Sequence, residues 1–260
     1  MEISTGIGLL MGVGAMIVTM LIEGGNPLSL LNVSAAVIVF GGCAGALFVA
    51  FPLKQIVRMP ILIGQSFKAH HGDLHGLIDQ FVNLADQARR EGLLALEGEI
   101  SKIEDSFIKK GVMLIVDGLD PTIVREIMET DTNLLAERHK EGQEMFKSLG
   151  GFAPTFGIIG TVMGLITVLG NLSEPEKLGE SIAVAFIATL YGVASANILW
   201  LPMGNKLKVK TQHELMGREL STEGVLAIQA GENPRIVREK LESFLAPTQR
   251  GGGQAKSQGE

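Results

Sequence analysis

The chain has 260 residues, a formal net charge of −6 and only 19% charged residues. With a mean hydropathy of +0.31, that is too little charge to cover a globular surface of this length, so part of the chain faces lipid. No basic stripe interleaved with aromatics is present, which argues against nucleic-acid binding. The single cysteine, Cys43, excludes an internal disulfide and argues against a cysteine-based metal site.

In chain order, the first element is an apolar run from Thr5 to Ile22. No Lys or Arg precedes it, so it reads as a retained span rather than a cleaved signal peptide. The second run, Ser34 to Phe51, holds Cys43, whose expected role is helix packing. Two further runs extend from Gly151 to Leu169 and from Ser181 to Leu201, and each of the four is long enough to cross the hydrocarbon core as a helix. The short connectors carry almost no positive charge: Glu23 to Val33 has none, and Gly170 to Glu180 has only Lys177. Lys54, Arg58, Lys147, Lys206, Lys208 and Lys210 all lie on the opposite side. The positive-inside rule puts that side, and both termini, in the cytoplasm.

Between the second and third runs, Leu74, Leu77, Ile78, Phe81 and Val82 recur at helical spacing and predict an amphipathic helix. Gly111 and Gly118 are expected to interrupt the pattern. Asp120-Pro121 is a helix start, with Asp as the cap and Pro at the first helical position, and Asn233-Pro234 repeats it ahead of Ile236, Val237, Leu241 and Phe244. The tail from Gly251 to Glu260 is expected to be disordered. No segment alternates as a strand does, so the expected fold is an all-α integral membrane protein. Its parts are spans one and two (1–52), a helical cytoplasmic domain (53–148), spans three and four (149–202), C-terminal helices (203–246) and a tail (247–260).

Within the spans, Gly8 and Gly12, Gly41 and Gly45, Gly160 and Gly164, and Ala188 and Gly192 are small residues at helical spacing. They permit close helix packing, either within one chain or between several. None of the four runs contains a carboxylate, histidine, lysine or arginine. Their polar groups are hydroxyls and an amide: Thr19, Thr155, Thr161, Thr167, Thr189, Tyr191, Ser195 and Asn197. Such hydroxyls either bond back to their own helix or line a polar path. An ion-handling role would then need its ionisable group from another chain, since transport through a bilayer normally uses one at depth. A self-contained transporter would show helices broken near mid-span, whereas Pro154 and Pro202 stand at the cytoplasmic ends of spans three and four. No Walker sequence, nucleophile elbow, HExxH or dinucleotide fingerprint supports an enzyme. His71 and His75 have the i, i+4 spacing of a metal pair, with His70 beside them, but lack arranged acidic or cysteine partners, so no metal or cofactor is expected.

The stretches GGFAPTFGIIGTVMGLITVLGNL and ESIAVAFIATLYGVASANILWLPMGNKL closely resemble the MotA/PomA family of flagellar stator proteins, as do ADQARREGLLALEGEI and EGVLAIQAGENPRIVREKLESFL. The related ExbB/TolQ energisers usually have three spans and an external N-terminus, which fits this chain less well; they, or a non-flagellar paralogue, are the alternative. The resemblance implies a homopentamer in the lipid bilayer around a dimeric MotB or PomB partner, whose single transmembrane helix carries the ion-binding aspartate. By motif, Thr161 and Thr189 fall where the family's ion-path hydroxyls lie, with Tyr191 beside them. Pro154 and Pro202 fall where its functional prolines lie, helix-end geometry being the other reading of both. Arg89, Arg90, Glu97 and Glu99 match the charged patch that engages the rotor protein FliG. Sodium-driven relatives tend to carry a Thr where this chain has Ala188, which favours protons as the transported ion.

Overall fold

The computed structural model describes residues 3–68, 73–170 and 175–250, and every regular element among them is helical. Two compact units emerge: Met1–Ala69 with Arg138–Val209, and His70–Glu137 with Lys210–Glu260.

Four helices among the described residues are long and apolar enough to cross a membrane: Ile3–Ile22, Pro27–Ala50, Pro121–Gly170 and Ser181–Gln229. The first buries none of its side chains, and Leu10 and Ile22 stand 75% and 80% exposed. An apolar face of that extent needs lipid or another protein against it. Gly24, at φ 74°, turns the chain. Asn26 then caps a short 3₁₀ turn, Pro27–Leu30, accepting from the Leu28 N–H at 3.0 Å. Asn32 caps the next helix, accepting from the Ala35 N–H at 2.9 Å. These two side chains satisfy backbone donors that the turn and helix starts leave open.

The second span runs as Val33–Ala36, a π-helical turn at Val37–Gly41, and Gly42–Ala50. Its Val39, Cys43 and Leu47 are buried with Met145, Leu149, Ala153 and Ala196 in one apolar cluster, which gives Cys43 the packing role expected of it. Gly42 lies flat against the Phe156 ring, where any side chain would collide. The fourth span contains a second π-helical turn, Ser195–Trp200, leading into Leu201–Gln229. Pro202 explains its position: proline has no N–H and its ring crowds the carbonyl four residues back, and a wider turn just before it relieves both. Pro154 and Pro202 both lie inside continuous helices, so neither marks a helix end.

In the second unit, the amphipathic helix is Leu74–Glu91, capped by Asp73, which accepts from the Gly76 N–H at 3.0 Å. Ile78 and Phe81 are buried beside Val112, Ile115, Met128 and Leu220. Each such side chain contributes about 1.5–3 kcal/mol on burial. Asp120 and Asn233 cap their helices as the Asp-Pro and Asn-Pro pairs predict, accepting from Thr122 N–H at 2.8 Å and Arg235 N–H at 3.0 Å. Gly118, at φ 76°, does end a helix, but Gly111 does not interrupt one. It sits within Ser106–Val116, where a Cβ would lie 2.8 Å from both Met128 Cε and Val225 Cγ2. Its glycine serves close packing rather than chain reversal.

An ion-pair ladder joins three helices of this unit. Arg125 meets Glu223 at 2.8 Å, and Lys240 bridges Glu223 at 3.1 Å and Glu232 at 3.6 Å. Burial alone would raise the Glu223 carboxyl, but hydrogen bonds from Arg125 and Lys240 outweigh it and hold the group below its ordinary value. The hydrogen bond to Glu223 correspondingly raises Arg125.

Candidate functional site

Spans three and four approach until their backbones touch. A Cβ on Gly157 would lie 3.0 Å from Ala188 O, 3.1 Å from Thr189 Cα and 3.3 Å from Gly192 Cα. Such closeness is available only to glycine, and it is how membrane helices associate where lipid removes the hydrophobic drive. The crossing brings Thr161 and Thr189 together: their hydroxyls share a short hydrogen bond. Thr161 Oγ1 also reaches Gly157 O at 3.2 Å and Ala185 O at 3.0 Å, and Thr189 Oγ1 reaches Gly157 O at 3.4 Å. Two hydroxyls and two carbonyls thus converge at one level of the bilayer. With two protons for more than two acceptors, the cluster has spare lone pairs for a proton or a small cation. Both threonines are half-buried.

The other span hydroxyls mostly bond back to their own helix: Thr19 to Ala15 O at 2.9 Å, Thr155 to Gly151 O at 3.3 Å and Ser195 to Gly192 O at 3.2 Å. Tyr191 does something else. Its hydroxyl donates to Leu30 O at 2.5 Å and accepts from the Asn32 N–H at 3.2 Å, and its ring lies 6.3 Å from that of Phe40. That hydroxyl is occupied in fastening the first connector to the fourth span, two residues along from Thr189.

In the second unit, Leu74–Glu91 ends at Gly92, whose φ of 86° reverses the chain into the 3₁₀ turn Leu93–Leu96 and the short helix Glu97–Ile100. Leu96 is fully buried and anchors the turn. The four charges singled out around it are not equivalent. Arg90 is held by Asp86 at 2.9 Å, and Glu99 by Lys102 at 2.7 Å. Arg89 and Glu97 are exposed and have no ion pair among the described residues. His75 is exposed, while His70 and His71 lie outside the described residues, as does the tail from Gly251.

Comparison with known proteins decides the family. Residues 99–220 match the MotA/TolQ/ExbB proton channel family. Motility protein A of Bacillus subtilis is 38% identical over 240 residues, covering 92% of this chain and 89% of that protein. Chemotaxis protein PomA of Vibrio alginolyticus is 36% identical, covering 94% of this chain and 96% of that one. A chain of the flagellar MotAB stator complex from Bacillus subtilis superposes with a TM-score of 0.88 at 37% identity, over 94% of this chain and 96% of its own length. The chain belongs to the MotA/PomA family of flagellar stator subunits. That family is one of multi-pass inner-membrane stators and channels, not of enzymes.

Against the positions that the MotA/PomA family implies, Thr161 and Thr189 stand in direct contact, Pro154 and Pro202 interrupt the hydrogen bonding of their helices, and Tyr191 points to the connector. Tyr191 carried no signal of this role in the sequence, because its partners lie 159 and 161 residues away. Tyr191→Phe keeps the ring and removes both bonds. Losing a pair of bonds each worth ~0.5–1.5 kcal/mol should speed amide exchange at Leu31 and Asn32 by roughly tenfold. Hydrogen exchange on the membrane-embedded complex reads this, and unchanged protection would show that the connector is held by packing alone.

Proposed function

We propose that this subunit assembles as a pentamer around a MotB/PomB-type dimer, with both its own termini in the cytoplasm, and turns proton flow into torque on FliG. The observation that carries this reading is the Thr161–Thr189 hydroxyl pair in a chain whose four apolar runs contain no carboxylate, histidine, lysine or arginine. The charge must come from the partner's aspartate. A proton arriving from outside neutralises that carboxylate beside the hydroxyl pair, removing the cost of a buried charge, and the ring steps around its partner. Pro154 and Pro202, inside their helices, supply the places where spans three and four bend during the step.

Torque leaves through the Leu93–Leu96 turn. An exposed ion pair is worth only ~0–1 kcal/mol, whereas one charge crossing 150 mV releases about 3.5 kcal/mol. Several contacts must therefore share the load. Arg89 and Glu97, which have no ion pair among the described residues, are the charges most available to FliG, while Arg90 and Glu99 would have to give up Asp86 and Lys102 first.

The test is charge reversal at the two free positions. Arg89→Glu combined with Glu97→Lys should abolish swimming while membrane level and partner association stay normal; wild-type speed would reject the rotor contact. For the ion, speed at constant pH is expected to persist when sodium is removed. A stall under those conditions would reassign the chain to sodium.

A further inference from the structure

We infer that Leu94 is the apolar anchor of the rotor contact, seated in a hydrophobic hollow of FliG whose rim offers an acid to Arg89 and a base to Glu97. The inference rests on the rotor reading above and adds what the contact grips with. Leu94 is the most exposed large apolar side chain of the second unit among the described residues, 73% open against 55% for Leu134 and Ile236. An exposed leucine alone is ordinary on a protein surface. This one differs in how it is held and in what flanks it.

The turn Leu93–Leu96 is a 3₁₀ helix, in which side chains three residues apart eclipse one another. Leu93 packs against the apolar core and Leu96 lies wholly inside it, so that pair takes the core side of the turn. Leu94, one residue on from Leu93, is thereby turned outward. Its backbone is fixed on both sides: the Ala95 N–H donates to Gly92 O at 3.2 Å, and the Glu97 N–H donates to Leu94 O. Gly92, at φ 86°, sets the angle at which the chain enters, in a conformation that suits glycine alone. An apolar side chain on so fixed a turn gives up little freedom when a partner covers it.

The flanking charges point to a protein as the occupant. Leu94 stands in the chain between Arg89 and Glu97, both exposed and without an ion pair among the described residues. A lipid tail would strip water from both and return no hydrogen bond. An apolar centre with a rim of mixed charge is instead the anatomy of a protein interface. The two parts divide the work. Rim charges steer the approach and set the register, yet exposed pairs are weak and screened by salt. The apolar seat is not screened, so it is the part that holds under load.

The experiment uses the full stator complex in swimming cells. Replacing Leu94 by the photoreactive amino acid benzoylphenylalanine should give a crosslink to FliG on illumination. Leu94→Ala removes the buried carbons and weakens the seat by on the order of tenfold. Leu94→Ala and Leu94→Asp should therefore lose most of the torque step per stator at stall, with membrane level and partner association normal, while Leu94→Met keeps most of it. Ile236→Ala, on the helix Pro234–Glu242 of the same unit, is the control and should leave torque unchanged. Wild-type torque from Leu94→Asp would overturn the inference, as would capture of lipid or of a second copy of this chain in place of FliG. Its failure is distinct from that of the rotor reading. Normal torque in Leu94→Asp with swimming lost in the Arg89/Glu97 reversal would leave the charges as the whole contact, whereas normal swimming in both would move the rotor contact off this turn.

Discussion

Gly157→Val should abolish swimming and deplete the subunit from the membrane, with Gly157→Ala between that variant and wild type. The atoms a Cβ would meet at this position belong to the backbone, Ala188 O at 3.0 Å and Thr189 Cα at 3.1 Å, and neither can rotate away as a side chain would. Spans three and four would have to move apart. Overpacking a close contact costs about 1–3 kcal/mol, and the valine branch raises that further. No hydrophobic term offsets the loss in a bilayer, where lipid tails solvate a separated helix as well as a neighbouring one does. Separation also pulls the Thr189 hydroxyl from the Gly157 carbonyl and the Thr161 hydroxyl from the Ala185 carbonyl, so packing and site fail together. Gly151→Ala on the same helix, with nothing within 4 Å of its Cβ position, is the control and should leave both level and speed unchanged. Quantitative blotting of membranes alongside swimming speed checks the series. A motile Gly157→Val strain would mean that this crossing is looser than its contacts imply.

The four spans were legible in the sequence because lipid imposes a simple rule: every position along a run must be apolar, and run length is readable without knowing any partner. Helix starts were legible for a similar reason. Asp120-Pro121 and Asn233-Pro234 act through atoms within two residues of themselves, so their geometry follows from local chemistry. Gly111 misled because glycine has two uses, turning a chain and admitting a neighbour, and the neighbours Met128 and Val225 are distant in sequence. The π-helical turn at Ser195–Trp200 had one local clue in Pro202, while the turn at Val37–Gly41 had none.

The charged patch stands between these cases. Arg90 lies four residues after Asp86 and Lys102 three after Glu99, spacings that themselves predict helical ion pairs. Residue type alone made all four charges look alike. Their internal pairing separates Arg89 and Glu97 from Arg90 and Glu99, and that distinction sets the choice of double reversal.

Thr189→Val should lower torque at high load several-fold, while Thr189→Ser should retain most of it. Valine keeps the branched shape and removes only the hydroxyl, leaving Thr161 to bond to Gly157 O and Ala185 O on its own. Two readings of Thr189 then diverge. If its hydroxyl merely satisfies a backbone carbonyl, the loss amounts to ~0.5–1.5 kcal/mol of stability spread over the fold, and speed is unaffected. If the paired hydroxyls stabilise the partner's carboxylate as its proton leaves, the lost bond is one to a charged group, worth ~1.5–3 kcal/mol, or roughly one to two powers of ten in the rate of that step. Thr161→Val should behave alike. Because the two hydroxyls contact each other, the double variant should be little worse than either single one, the non-additivity expected of groups acting as a unit. Tethered-cell torque across all four strains measures the coupling. Independent, additive losses from the two single variants would separate Thr161 from Thr189 and assign each to its own helix.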